Sequence, residues 1–347
     1  MQSNLNLERQ HGALSQLKHL LVIAILAAIL QTGCSKEQVD PSKPDAGVTV
    51  RIGYQPVGVA QDVVRLQGTI ERDYAAKGAK VQWVNFAAGP ELMQAMGTGN
   101  VDIGGGGDTV PIFAQAAGVP FVYIANTPIV KPWGLAVLVH GNSSIKTVQD
   151  LRGKTVALVK GTGSHYFFVQ ALERAHVSYA DIKPIYLEPA DAAAAFTSGR
   201  IDAWVAWDPY ITLATSKLNA RILVDQTGIP SNGGFLLASR KFATAHPELI
   251  GPVINEFQKT GDWAGQHPQD AVNIVQNSVS IAPAQLLKLV QNGSGTTYRP
   301  MDDKIVALQQ KEADAFYKLG VLRQKIDVKD ATLSADQYAR IDIHSHS

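Results

Sequence analysis

Three short stretches hold the residues best suited to chemistry. Lys160 to His165 reads KGTGSH. Thr162 and Ser164 bring hydroxyls, His165 an imidazole, and Gly161 and Gly163 a bare backbone, at the point where a strand gives way to a helix. Donors and exposed N–H groups at a helix start are equipment for holding an anion. The nucleotide P-loop pattern, Gly-x-x-x-x-Gly-Lys-Ser/Thr, is absent. Taken alone, the stretch also describes a plain strand-to-helix turn, the commoner meaning, with Lys160 a solvated charge.

The other two stretches form a repeat. Gly99 to Asp108 is GNVDIGGGGD and Gly199 to Asp208 is GRIDAWVAWD. A glycine, a β-branched residue and two aspartates recur in one register, one hundred positions apart. Asp108 precedes Thr109-Val110-Pro111, and Asp208 precedes Pro209. Aspartate satisfies free N–H groups at a helix start and proline suits the first turn, so capping is the first reading of both aspartates and ligand contact the second. Gly104 to Gly107 leave the backbone bare for a ligand or an opposing lobe. Trp204 and Trp207, in the matching places, supply apolar walls. The repeat predicts a two-sided pocket.

The elements that position these stretches alternate. VTVRIGY from Val48 and KVQWVNF from Lys80 read as strands, with a helix between them and another near Glu91 to Met96. FVYIA from Phe121 and GLAVLVH from Gly134 follow. TVALV from Thr155, a helix from Tyr166 to His176, PIYLE from Pro184 and a helix from Ala190 to Phe196 repeat the order, and RILV from Arg221 closes it. Strand–helix alternation predicts α/β architecture with largely parallel sheets. From Arg240 to about Gly320 the apolar spacing is helical. The expected organisation is one lobe from 48–137 and 233–340 and a second from 138–232, hinged on strands near 134–139 and 233–238. Ligands in such sheets sit at the carboxyl ends of strands, so all three stretches face one crevice.

Composition is that of a globular chain: 347 residues, 46% hydrophobic and 18% charged, which exceeds the usual single domain. Arg9, Lys18 and His19 precede LLVIAILAAIL (Leu20 to Leu30), the length of a signal-peptide core, so 1–33 reads as an export signal and 34–47 as a tether. Cys34 is the sole cysteine. Its small preceding residues match a bacterial lipoprotein cleavage site, although Leu30 stands one place too far back. The alternatives are a lipid anchor or ordinary cleavage nearby. Removing 1–33 takes Arg9, Lys18 and Glu8 from 31 basic and 30 acidic residues and leaves the two signs equal, a balance in which nothing suggests nucleic acid as a partner. Disulfides, thiolate metal sites and a cysteine nucleophile in the mature fold are excluded. His344 and His346 form a His-x-His pair in a polar tail, read as a frayed end. Trp83 and Phe316 read as packing, and no Ser/His/Asp arrangement is recognisable.

The combination of RIGYQ, FAAGPELMQAM, GNVDIGGGGDTVPIFAQAAG, KTVQDLRGKTVALVKGTGSH, PADAAAAFTSGRIDAWVAWDPY and VALQQKEADAFY resembles the aliphatic sulfonate-binding proteins of bacterial ABC importers, over nearly all of 48–330. The resemblance implies a two-lobed periplasmic binding protein of type II. It would be a monomer without cofactor or metal, periplasmic or held at the cell envelope, delivering small organic sulfonates or sulfate esters to a permease with a cytoplasmic ATPase. Taurine, nitrate or pyrimidine binding and a sensory role are the alternatives, and an enzyme of this plan is disfavoured by the export signal. Carried over, the ligand loops fall at Gln55, at Gly107, Asp108 and Thr109, at Gly161, Thr162, Gly163, Ser164 and His165, and at Trp207 and Asp208. Trp204 and Tyr210 join Trp207 as a wall for the organic tail. Departures are Pro56-Val57-Gly58 after Gln55, and glycine and threonine where serines are usual at 161–164. A sulfonate is ionised and only accepts hydrogen bonds, so donors from Gln55, Thr109, Thr162, Ser164, His165 and the backbone suit it.

Overall fold

The computed structural model describes residues 47–55, 59–127, 134–279, 281–293, 297–341 and 343. The expected signal segment, Cys34, nearly all of the tether, Pro56 to Gly58, His344 and His346 lie outside the described residues.

Among the described residues, ten strands form two five-stranded mixed sheets. They are β1 (Thr49–Tyr54), β2 (Lys80–Asn85), β3 (Ile103–Gly107), β4 (Phe121–Thr127), β5 (Leu135–His140), β6 (Thr155–Leu158), β7 (Lys183–Tyr186), β8 (Ala203–Trp207), β9 (Ala220–Asp225) and β10 (Gly234–Ser239). The first sheet runs β2-β1-β3-β10-β4 and the second β7-β6-β8-β5-β9. In each, the first three strands are parallel, and the fourth is antiparallel to both its neighbours. That fourth strand is the one arriving from the other lobe: β5 enters the second sheet and β10 the first.

The two strands expected at the hinge are each built into one sheet. β5 is bonded to β8 and β9, and β10 to β3 and β4, over most of their length. The chain returns from the second sheet to the first through the segment 226–233, free of helix and strand. Leu135 to Val137, expected in the first lobe, pair within the second sheet.

The sequence repeat is a structural repeat. Each copy begins where a helix (Gly89–Gly97 or Pro189–Thr197) ends at a left-handed glycine, with φ +78° at Gly99 and +71° at Gly199. Equivalent backbone bonds close each turn: Gly99 N to Met96 O and Asn100 N to Ala95 O, Gly199 N to Phe196 O and Arg200 N to Ala195 O. Asp102 and Asp202 then bind the neighbouring parallel strand, accepting from Arg51 N and Thr155 N, each at 2.8 Å. The bonds satisfy backbone donors at strand starts and fix each register.

The four glycines of β3 have separate reasons. A Cβ on Gly104 would meet Leu92 at 2.8 Å, on Gly105 the carbonyl oxygen of Phe235 at 2.5 Å, on Gly106 Val110 at 3.0 Å, and on Gly107 the Gly163 nitrogen of the other lobe at 3.4 Å. Helices cover both faces of each sheet. Ile254 and Phe257 of the helix Ile250–Gln266 pack with Val50 and Ile52 of β1 on one face of the first sheet, and Leu92, Val110 and Ile305 with Tyr123 and Leu237 on the other. A further core group joins Ile112 and Phe316 of the first lobe to Val169 of the second.

Candidate functional site

Strand ends place the expected residues. Gln55 leaves β1, and its Nε2 donates to Gly105 O at 3.1 Å. Gly107 ends β3, and Asp108 and Thr109 open the helix Thr109–Ala116. In the second lobe β6 leads through Gly161 and Thr162 into the helix Gly163–Arg174, and β8 ends at Trp207 before Asp208 and the helix Tyr210–Lys217. Gly107 and Gly163 bring these loops together across the lobes. A Cβ on Gly163 would lie 2.9 Å from Asp108 Oδ1.

The side chains of the KGTGSH loop are spent on one another. Thr162 Oγ1 donates to Val159 O at 2.9 Å, and Ser164 Oγ lies 2.8 Å from Thr162 Oγ1. A hydroxyl has one hydrogen. Since Thr162 gives its own to Val159, Ser164 gives its own to Thr162. His165 is fully buried; its Nδ1 accepts from Gly161 N at 3.3 Å, and its Nε2 stands 2.9 Å from Tyr179 Oη. Burial, aided by the Lys160 charge, pushes the imidazole down to about 3, so it is neutral. These three side chains shape the loop and do not face a ligand as free donors. What the loop offers is backbone: the N–H groups of Gly163 and Ser164, first in their helix, have no acceptor within it. With them comes roughly half a positive charge from the helix.

Both repeat aspartates serve helix starts. Asp108, 2% exposed, accepts from Thr109 N (3.0 Å), Ser231 Oγ (2.7 Å) and Asn232 N (3.1 Å), so both its oxygens are occupied. Asp208 Oδ1 accepts from Thr212 N (3.1 Å) and Thr212 Oγ1 (2.8 Å). Pro209 stands just before the helix, not in its first turn.

The aromatic residues separate. Trp204 is 1% exposed and packs with Phe196 and Tyr210 inside the second lobe, which makes it core and not surface wall. Trp207 and Tyr210 are half-buried and meet edge to face at 5.4 Å between centroids. Among the described residues no group of three or more His, Cys, Asp or Glu is arranged to hold a metal.

Sequence reasoning missed the partners from afar. Ser231 and Asn232 lie in the crossing segment. Gln309 and Glu312, both fully buried, come from the helix Asp303–Lys318. Gln309 Nε2 donates to Asp108 O, and Thr109 Oγ1 is hydrogen-bonded to Glu312 Oε1. A signal existed: Gln309 and Glu312 fall on the same helical stripe as Ile305, Ala313 and Phe316, where polar residues need partners.

Comparison with known proteins places this architecture. The model of the NMT1/THI5-like family matches residues 73–271. The solved alkanesulfonate-binding protein SsuA of Xanthomonas axonopodis pv. citri, bound to MOPS, is 32% identical with a TM-score of 0.79, covering 84% of this chain and 99% of that one. The periplasmic aliphatic sulphonate binding protein SsuA of Escherichia coli is 35% identical with a TM-score of 0.72, covering 82% and 92%. The desulfurization enzyme DSZB, 14% identical with a TM-score of 0.58 over 85% and 99%, shares the fold alone. The chain belongs to the NMT1/THI5-like family and has the aliphatic sulfonate-binding proteins as near relatives.

Proposed function

From this membership we propose that the protein is the extracytoplasmic solute-binding component of an ABC importer, capturing small organic sulfonates or sulfate esters for a membrane permease and its cytoplasmic ATPase. The observation that carries the reading is the pair of helix-start N–H groups at Gly163 and Ser164, kept free by side chains that satisfy one another and set against the opposing Gly107. An ionised sulfonate accepts from such donors without needing a cation, which suits a chain of balanced charge. The relative bound to MOPS supports the ligand class. Gln55, the loop 107–109, the loop 161–165 and residues 207–208 are the ligand loops of this proposal, with Trp207 and Tyr210 as the tail wall. Two lobes, with Leu135 to Val137 moved from the first to the second, export by residues 1–33, a tether to 47 and lipidation at Cys34 belong to the same proposal. So do a monomeric state and binding without catalysis.

A thermal-shift panel of alkanesulfonates, sulfate esters, taurine, nitrate and pyrimidines tests the ligand class. At one hundred times its dissociation constant a ligand adds about 2.7 kcal/mol to folded-state stability. A sulfonate or sulfate ester is expected to raise the melting temperature; a response confined to nitrate or a pyrimidine would move the assignment.

The tail wall has its own signature. Trp207→Ala is expected to flatten the gain in affinity per added methylene, about 0.8 kcal/mol when fully buried, and to spare the shortest ligand. Calorimetric titration of a series of chain lengths reads that slope. Equal losses for short and long ligands in a folded variant reject the wall.

A further inference from the structure

Two buried carboxylates stand where the chain crosses between the lobes, and the binding proposal leaves them unused as charges. Asp108 and Glu312 are 2% and 0% exposed. Thr109 Oγ1 touches Glu312 Oε1 and lies 3.5 Å from Asp108 Oδ1. Asn232 links the other side, its backbone N–H donating to Asp108 Oδ2 and its Nδ2 to Glu312 Oε2 at 3.0 Å and to Gln309 Oε1 at 3.2 Å. Facing the pair are the phenols of Tyr123 on β4 and Tyr166 on the helix Gly163–Arg174, both pushed up by burial and so neutral. Among the described residues no basic side chain is ion-paired with either carboxylate.

The closeness of the two acids and the lack of an ion-paired cation bear on the charge state. Both hydrogens of Asn232 Nδ2 are taken, and Thr109 has one hydroxyl hydrogen for two carboxylates. If both acids were ionised, two full charges would share one dry cluster, bridged by Thr109 and with no ion-paired cation among the described residues. With a proton on Glu312, its O–H donates to Thr109 Oγ1, and the Thr109 hydrogen turns to Asp108 Oδ1. Every partner is then satisfied.

We propose that Asp108 and Glu312 hold one proton between them, bridged by Thr109, and that this proton latches the crossing segment 231–233 to the loop 107–109. Burial raises both carboxyls, and the Asp108 charge raises Glu312 further, in agreement with the geometry. Losing the proton places two like charges at the latch, which opens the contacts of Ser231 and Asn232. Because the latched state keeps a proton that an opened state releases, opening grows about tenfold per pH unit above the ordinary carboxylate range until the pair itself has titrated.

The test needs no ligand. In infrared spectra of the protein at neutral pH, a protonated-carboxyl stretch that shifts in heavy water is expected, and it is expected to vanish in Glu312→Gln, whose amide donates without titrating. Glu188 stands outside this cluster, so the band read is the difference between the parent and Glu312→Gln spectra. Hydrogen exchange of peptides spanning 226–235, corrected for intrinsic rate, is expected to lose protection with rising pH in the parent and to stay level in the variant. Absence of the acid stretch in the parent, its survival in Glu312→Gln, or coincident exchange profiles overturns the proposal. Should the variant fail to fold, the stretch and its pH titration in the parent decide alone.

Discussion

Gly105→Ala is expected to lower stability by about 3 kcal/mol, the upper end of what overpacking costs, and the melting temperature by about 6–12 °C. The added methyl would lie 2.5 Å from the carbonyl oxygen of Phe235 in β10. That oxygen is backbone in an interior strand bonded on both sides, so no rotamer change relieves the contact. Gly99→Ala is the control. Its φ is +78° and nothing lies within 4 Å of the added atom, so it costs the left-handed penalty alone, about 1–2 kcal/mol. Urea denaturation of both variants separates the two causes. If Gly105→Ala is no more costly than Gly99→Ala, close backbone approach does not explain the glycine run.

The fold was legible because its signals are local. Alternation in VTVRIGY and KVQWVNF, turn residues between periodic runs, and the repeated glycine-to-aspartate unit depend on neighbours in sequence, and the two sheets follow that order. The sheet that each crossing strand joins was not legible. GLAVLVH and GGFLLAS read as strands, and they are strands, but which sheet each joins depends on pairing with β8 and β9 or β3 and β4, residues far away in sequence. The site divides the same way. KGTGSH announces a helix start able to hold an anion, whereas the direction of each hydroxyl rests on Val159 O and the Thr162–Ser164 contact, which composition does not encode. Trp204 and Trp207 look alike in AWVAWD. Alternation along β8 puts one inside the lobe and leaves the other half-buried at the strand's carboxyl end. Asn232 and Glu312 were invisible as partners of Asp108 because more than a hundred residues separate each of them from it.

The same hydroxyl geometry sets apart two variants one residue from each other. Gly163→Ala is expected to weaken every sulfonate by about 10–100-fold, equivalent to about 1.4–2.7 kcal/mol and within the usual cost of overpacking. Its methyl would stand 2.9 Å from Asp108 Oδ1, and that carboxylate cannot swing aside while Ser231, Asn232 and Thr109 hold it. The lobes must then part at the place where Gly163 faces Gly107, so the loss falls on the closed, liganded form more than on the free protein. Ser164→Ala removes a hydroxyl whose hydrogen already goes to Thr162. It leaves the Ser164 N–H in place and is expected to cost about 0.5–1.5 kcal/mol of stability in free and bound protein alike, with little change in affinity. Affinities from calorimetry, set beside melting temperatures without ligand, resolve the pattern. If Ser164→Ala weakens all sulfonates by the 1.5–3 kcal/mol typical of a hydrogen bond to a charged acceptor while Gly163→Ala binds normally, the hydroxyl and not the backbone is the anchor. The anion would then have to break the Ser164–Thr162 bond in order to bind.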